Sequence, residues 1–231
     1  MIKVYPVIHQ QSVEQASEQA DLAFELGADG VYLIDHETYG NDELLTAYNA
    51  IRMNHPDEFI GLNLLSASSG YRALKIIDDA FDQGKIGTLP SGLWVDDVIP
   101  DKEKFVNFRS ENPEFKKILY LGGVAFKYTQ SYTDLAEKAA QEAVRQVHFT
   151  DVVTTSGAGT GQAPSKDKIK AMKLVIGDNE IAIASGVDVE NVNDYRSLAD
   201  SILVASSVET EPYSGIFDRK KLEALIVKAH R

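Results

Sequence analysis

The chain contains no cysteine. That absence excludes disulfides, thiolate nucleophiles and cysteine-bound metals, and it leaves any catalysis to oxygen, amine and imidazole groups. Nor is there an apolar run of the roughly 18 residues that a membrane-crossing helix requires. The opening segment MIKVYPVIHQQ lacks the basic start, long apolar stretch and small-residue cleavage site of a signal peptide, so a cytoplasmic location is expected. Positive charge is also scarce: 23 Lys and Arg face 35 Asp and Glu, for a formal net charge of −12. Such a surface repels phosphate backbones and anionic membranes, and nucleic acid is not an expected partner.

What remains is 231 residues, 44% hydrophobic and 25% charged, enough apolar material for the core of a single domain. Short aliphatic or β-branched runs alternate with stretches of helical period along the whole chain, the pattern of parallel strands joined by crossover helices. Strands are predicted near residues 3–8, 30–34, 59–64, 92–95, 117–122, 150–155, 180–184 and 201–205. The fourth is the least regular, since IGTLPSGLWVDD contains Pro90 and two glycines and only GLWV has strand character. Ser12 with Gln15 reads as a capping box, Gly27 as a helix stop and Ser165 as a second cap. About eight such units in a chain this short, with no composition break, predict one closed (β/α)8 barrel, an α/β fold, rather than an open doubly wound sheet.

In that architecture the functional groups collect where strand C-termini meet the following loops. The polar residues there are His9, then Asp35, His36 and Glu37, then Asn63, Asp96 with Asp97, Lys127, Ser156 with Thr160, Ser185, and Ser206 with Ser207. The loop SGAGTGQAP, carrying Gly157 and Gly161, would let several amide N–H groups approach a ligand, or would simply turn the chain into the Ser165 cap. Strands seven and eight end in ASGVD and ASSVE, where Ser185, Gly186, Ser206 and Ser207 suit a phosphate held by backbone amides, or small residues that let helices pack closely. Lys127 could neutralise an anion or, desolvated, form a Schiff base with a carbonyl. His9, Asp35, His36 and Glu37 offer donors for a divalent metal, but neighbours on an extended chain alternate in direction, so all of Asp35, His36 and Glu37 cannot face one mouth. No cofactor is assigned.

The assembled motifs resemble one family, the BtpA/SgcQ proteins. DVVTTSGAGTGQAP is similar to its strand, small-residue turn, Thr-Gly and Pro pattern, carried by Ser156, Gly157, Thr160, Gly161 and Pro164. SGVDVENV resembles its Ser-Gly-Val and Glu-Asn signature, through Ser185, Gly186, Glu190 and Asn191. Upstream, His9, the GLNLL segment with Asn63, and Lys127 fall where the family has matching residues. The family's acid-and-asparagine pair reads Asp35 and His36 here, its histidine after the lysine is Tyr128, and its Gly-Thr or Gly-Ser after strand eight is Ala205 and Ser206. A proline-glycine segment after strand one is missing, which marks a divergent, shortened member. The resemblance implies a TIM barrel; the family name itself defines no reaction, and one namesake is implicated in photosystem I assembly.

Two functions follow as expectations. One is an enzyme acting on a small phosphorylated sugar or nucleotide-like metabolite by lyase, isomerase, or glycosyl or phosphoribosyl transfer chemistry. There Ser156, Gly157, Thr160, Gly161, Ser185, Gly186, Ser206, Ser207 and Asn63 bind the anionic ligand, Lys127 neutralises it and His9 or Asp35 moves a proton. The other is a non-catalytic assembly factor that binds a protein partner. Surface helices of barrels often self-associate, so a homo-oligomer is expected.

Overall fold

The computed structural model describes residues 1–35 and 40–231. Its strands are β1 (Lys3–His9), β2 (Val31–Ile34), β3 (Ile60–Asn63), β4 (Gly92–Val95), β5 (Leu119–Gly123), β6 (Val152–Thr155), β7 (Glu180–Ala184) and β8 (Ser201–Val204). Neighbours pair in parallel in sequence order, and β8 closes on β1, with Lys3 opposite Ser201. That closure rules out the open sheet. The helices α1 (Val13–Glu25), α2 (Gly40–Asn54), α3 (Gly70–Asp82), α4 (Lys102–Glu111), α5 (Ala136–Gln146), α6 (Lys166–Ile176), α7 (Val192–Tyr195) and α8 (Arg219–His230) follow the strands one for one. The described residues therefore form a (β/α)8, or TIM, barrel.

Side-chain alternation splits the apolar residues into two layers. Tyr5, Val7, Tyr32, Ile34, Trp94, Leu121, Phe126, Ala182, Ala184 and Leu203 cluster inside the barrel, while their strand neighbours Val4, Ile8, Val31, Leu33, Leu62 and Leu93 pack outward under the helices. The inner layer is rich in rings, and glycine makes room for them. A Cβ on Gly61 would fall 2.2 Å from the Tyr32 ring, and one on Gly92 would fall 2.5 Å from its hydroxyl oxygen. Gly92, one of the two glycines of the β4 segment, thus leaves the space that Tyr32 fills.

The caps form much as the sequence suggests, with one change. Ser12 Oγ accepts the Gln15 N–H at 3.0 Å, but the Gln15 side chain takes the Gln11 N–H rather than returning to Ser12. It also donates to the carbonyls of His9 and Gly215, so it ties the first loop to the last. Ser165 Oγ caps α6 through the Lys168 N–H at 3.2 Å. The helix after β7 is a single turn; beyond it the sequence runs through Ser197 and Asp200, weak helix formers, and the Tyr195 hydroxyl anchors the unit by donating to the Pro164 carbonyl at 2.7 Å. Among the described residues no helix is long and apolar enough to cross a membrane.

Candidate active site

Inward register decides which strand-end residues reach the mouth. His9 continues the inward set Tyr5 and Val7, Asn63 follows Gly61, and Asp96 follows Trp94. All three line the mouth. Asp35 follows the inward Ile34, so its side chain has the outward parity; it is 2% exposed and lines neither mouth cavity. Asp96, noted in the sequence at a strand end without a task, lines both cavities where Asp35, expected as one of two proton-transfer candidates, lines neither. His36 and Glu37 lie outside the described residues. Among the described residues no group of three or more His, Asp or Glu side chains gathers as metal ligands would.

The mouth holds two adjoining cavities of about 500 and 520 Å³, which share Leu65, Asp96, Lys127 and Tyr128. The first is floored by Trp94, Ala184 and Leu203 and rimmed by His9, Thr160, Gly161, Ser185, Gly186, Ser206 and Ser207. Lys127 reaches into it, with Nζ 3.3 Å from Thr160 Oγ1 and 3.4 Å from Ser185 Oγ. Burial holds its amine below the usual lysine range, and the neighbouring Asp96 carboxylate offsets part of that shift. Burial likewise raises Asp96 above the usual carboxylate range, against the lowering effects of the Asn63 amide, which donates at 3.3 Å, and of Lys127.

His9 is held from the far end of the chain. Its Nδ1 lies 3.0 Å from Oε1 of Glu209, a side chain with no solvent exposure. The other carboxylate oxygen of Glu209 accepts the Tyr213 N–H at 2.7 Å, which draws the loop after β8 over the first cavity. Opposite an ionised carboxylate, which can only accept, Nδ1 is the donor of this pair. A carboxylate that fixes imidazole tautomer and orientation is what a histidine needs in order to serve as a base. Glu209 lies in a loop without strand or helix pattern, and nothing in the sequence pairs it with His9.

The glycine-rich loop divides between structure and site. Ser156 is fully buried, its Oγ accepting the Lys127 N–H at 2.8 Å and donating to the Gly157 carbonyl. Gly157 packs against the backbone of Gln162 and Ala163. Neither lines the cavity, whereas Thr160 and Gly161 do. Ser185, at φ 145, accepts the Gly161 N–H at 3.0 Å and donates to the Gly159 carbonyl, binding the loops after β6 and β7 together. Ser207 Oγ is spent on the Val187 carbonyl. The N–H groups of Gly186, Val187, Ser206 and Ser207, however, donate to no turn, loop or cap acceptor among the described residues. No long helix begins here to add its dipole: α8 starts at Arg219, where the Asp218 carboxylate already accepts two amides.

The family model that matches this chain is that of the BtpA family, over residues 100–231, which includes α4 and everything after it. The chain belongs to the BtpA family. No curated protein sequence matches it. Solved structures similar to this BtpA-family barrel include phosphoribosyl anthranilate isomerase from Thermotoga maritima, at 17% identity and a TM-score of 0.67, covering 100% of this chain and 99% of the other. The same isomerase from Thermus thermophilus gives 15% identity and a TM-score of 0.65, with 99% and 98% coverage. A structure titled native KDPGal gives 12% identity and 0.67, with 98% and 94% coverage. At such identities the likeness is one of fold.

Proposed function

We propose that this BtpA-family barrel is an enzyme that moves protons on a small phosphorylated sugar or nucleotide-like metabolite. The observation that carries the reading is the meeting, in the first cavity, of a desolvated lysine, a histidine oriented by a buried carboxylate, and a set of amides without turn, loop or cap acceptors among the described residues. The amides of Gly186, Val187, Ser206 and Ser207 suit the oxygens of a phosphate, as Thr160 Oγ1 does, and Lys127 supplies the countercharge. His9 is the base and Asp96, kept protonated more readily than an ordinary carboxyl, the acid. Isomerase, lyase and glycosyl or phosphoribosyl transfer chemistry all use such a pair, and the lowered amine of Lys127 also suits a Schiff base with a carbonyl substrate. One solved isomerase of similar fold holds reduced 1-(o-carboxyphenylamino)-1-deoxyribulose 5-phosphate, a phosphorylated ligand that supports the class by analogy only.

Thermal shift at constant ionic strength tests the reading, with inorganic phosphate, sugar phosphates, nucleotides and matched uncharged sugars as probes. A ligand that binds the native state alone stabilises it by about 2.7 kcal/mol at a hundredfold excess over its Kd. Phosphorylated probes should stabilise the wild type, and Lys127→Met should weaken the effect, since the stem is kept and the charge removed. Equal shifts with uncharged sugars, or none alongside capture of a tight protein partner, would favour an assembly factor instead.

A further inference from the structure

The second cavity, of which the proposed chemistry uses only the ridge shared with the first, has a different character. Asn63, Ser68, Ser69, Asp96, Asp97 and Gln130 supply much of its polar lining, with Leu64, Val95, Ile99 and Pro100 as apolar wall. Several of these groups are already committed: Ser69 Oγ accepts the Arg72 N–H and donates to Asp101, and one oxygen of Asp97 accepts the Ile99 N–H at 3.0 Å. What sets this lobe apart is its two acidic side chains, Asp96 and Asp97. Among the described residues lining it, Lys127 on the shared ridge is the one cation. The first lobe is bordered by amide N–H groups with no turn, loop or cap acceptor among the described residues; the second carries two acidic side chains against one shared cation.

We infer that the second lobe receives the far end of the same ligand, that this end is a hydrogen-bond donor without anionic charge, such as hydroxyl or amino groups, and that the mouth therefore selects monophosphates over bisphosphates. The inference rests on the anion site proposed above. Lys127 and Asp96 stand on the ridge common to both lobes, so a ligand that spans them carries its reacting atoms between its two ends, next to the proton-transfer groups. A second phosphate at the far end would face the Asp97 carboxylate, and the charge that Asp96 carries once it has given up its proton, with a single lysine already engaged by the first phosphate. Like charges at such range repel strongly where water is partly excluded. A bisphosphate would normally profit from its extra charge at a cationic site, so weaker binding than its monophosphate is a discriminating result.

Titration calorimetry with inorganic phosphate and two matched pairs, fructose 6-phosphate with fructose 1,6-bisphosphate and ribulose 5-phosphate with ribulose 1,5-bisphosphate, reads this directly. Each bisphosphate is expected to bind at least tenfold more weakly than its monophosphate. Asp97→Asn keeps the acceptor for the Ile99 N–H and lies outside the first lobe. It should narrow the gap threefold or more while inorganic phosphate stays within twofold of wild type. Bisphosphates that bind as tightly as the monophosphates, or an Asp97→Asn change that alters inorganic phosphate and the bisphosphates alike, would overturn the inference and leave the anion site standing. Failure of every phosphorylated probe, inorganic phosphate included, would overturn both.

Discussion

The amine of Lys168, a side chain with no solvent exposure, donates to the Ala125 and Ser156 carbonyls at 2.8 Å each. Those carbonyls belong to the segments after β5 and β6 that carry Lys127 and the glycine-rich loop, so a lysine in the first turn of α6 clamps two sides of the mouth from behind. Asp134 lies 3.9 Å away, and the Tyr132 ring 5.0 Å from the ammonium. Burial lowers the amine to about 8 from an ordinary value of 10.5. A neutral amine still has two N–H groups for the two carbonyls, so deprotonation removes a buried charge without breaking the clamp.

That arrangement makes stability depend on pH. The unfolded chain holds the Lys168 proton more tightly than the folded one, so below pH 8 the buried charge is a standing cost, relieved as pH rises from about 8 to 10.5. Lys168→Met lacks the titration. Urea denaturation of both proteins should therefore show wild type gaining on the variant over that interval, by at most about 1.4 kcal/mol per pH unit. A constant difference would mean that the amine is not desolvated in the native state.

Asp96 titrates in the opposite sense. Its folded-state carboxyl is raised above the ordinary 3.8, first by burial, so the native state binds this proton more tightly than the unfolded chain does. The stability it confers is complete below 3.8 and is lost as pH rises through the raised value. Asp96→Asn should consequently be more stable than wild type at pH 7, with the advantage shrinking on acidification toward pH 4. A variant less stable than wild type at neutral pH would show that the Lys127 countercharge outweighs the burial.

The barrel itself was legible because each strand is a short apolar run punctuated by turn residues, and the expected strands fall within two residues of the observed ends. The site was legible only as far as position along the chain determines it. His9, Asn63, Lys127, Thr160, Gly161, Ser185, Gly186, Ser206 and Ser207 stand at strand ends and line the mouth. Choosing between Asp35 and Asp96 required knowing which face of each strand points inward, and VYLI and GLWV, apolar on both faces, do not reveal it. Counting two residues on from Trp94 would have pointed to Asp96 had Trp94 been known to lie inside. Glu209 and His9 meet across 200 residues, a contact that no local pattern encodes.

The His9–Glu209 pair predicts a tautomer. In wild type the neutral imidazole should carry its proton on Nδ1, which 15N-detected NMR of the ring nitrogens distinguishes directly. Glu209→Ala removes the acceptor and should shift the ring toward the Nε2–H form. It also leaves the Tyr213 N–H without its partner, for a stability loss of roughly 1–3 kcal/mol. An unchanged tautomer in the variant would mean that another group sets the ring.

Gly161 and Gly186 both sit at positive φ, 76° and 71°, but they meet different surroundings. A Cβ on Gly161 would touch nothing within 4 Å, whereas one on Gly186 would lie 2.0 Å from the Ala163 nitrogen and 2.2 Å from the Gln162 carbonyl carbon. Backbone atoms cannot rotate away as a side chain can, so the loop after β6 would have to move as a unit. Alanine at either site carries the left-handed penalty of roughly 1–2 kcal/mol. At 186 an overpacking cost of about 1–3 kcal/mol adds to it. Gly161→Ala should accordingly fold with a modest loss and retain phosphate binding if the amides of residues 186, 206 and 207 hold the anion. Gly186→Ala should lose more stability and also displace Thr160, which stands on the shifted loop within reach of Lys127. Denaturation midpoints, together with phosphate-induced thermal shifts for both variants, separate the two effects; equal stability losses would contradict the close loop-to-loop packing at Gly186.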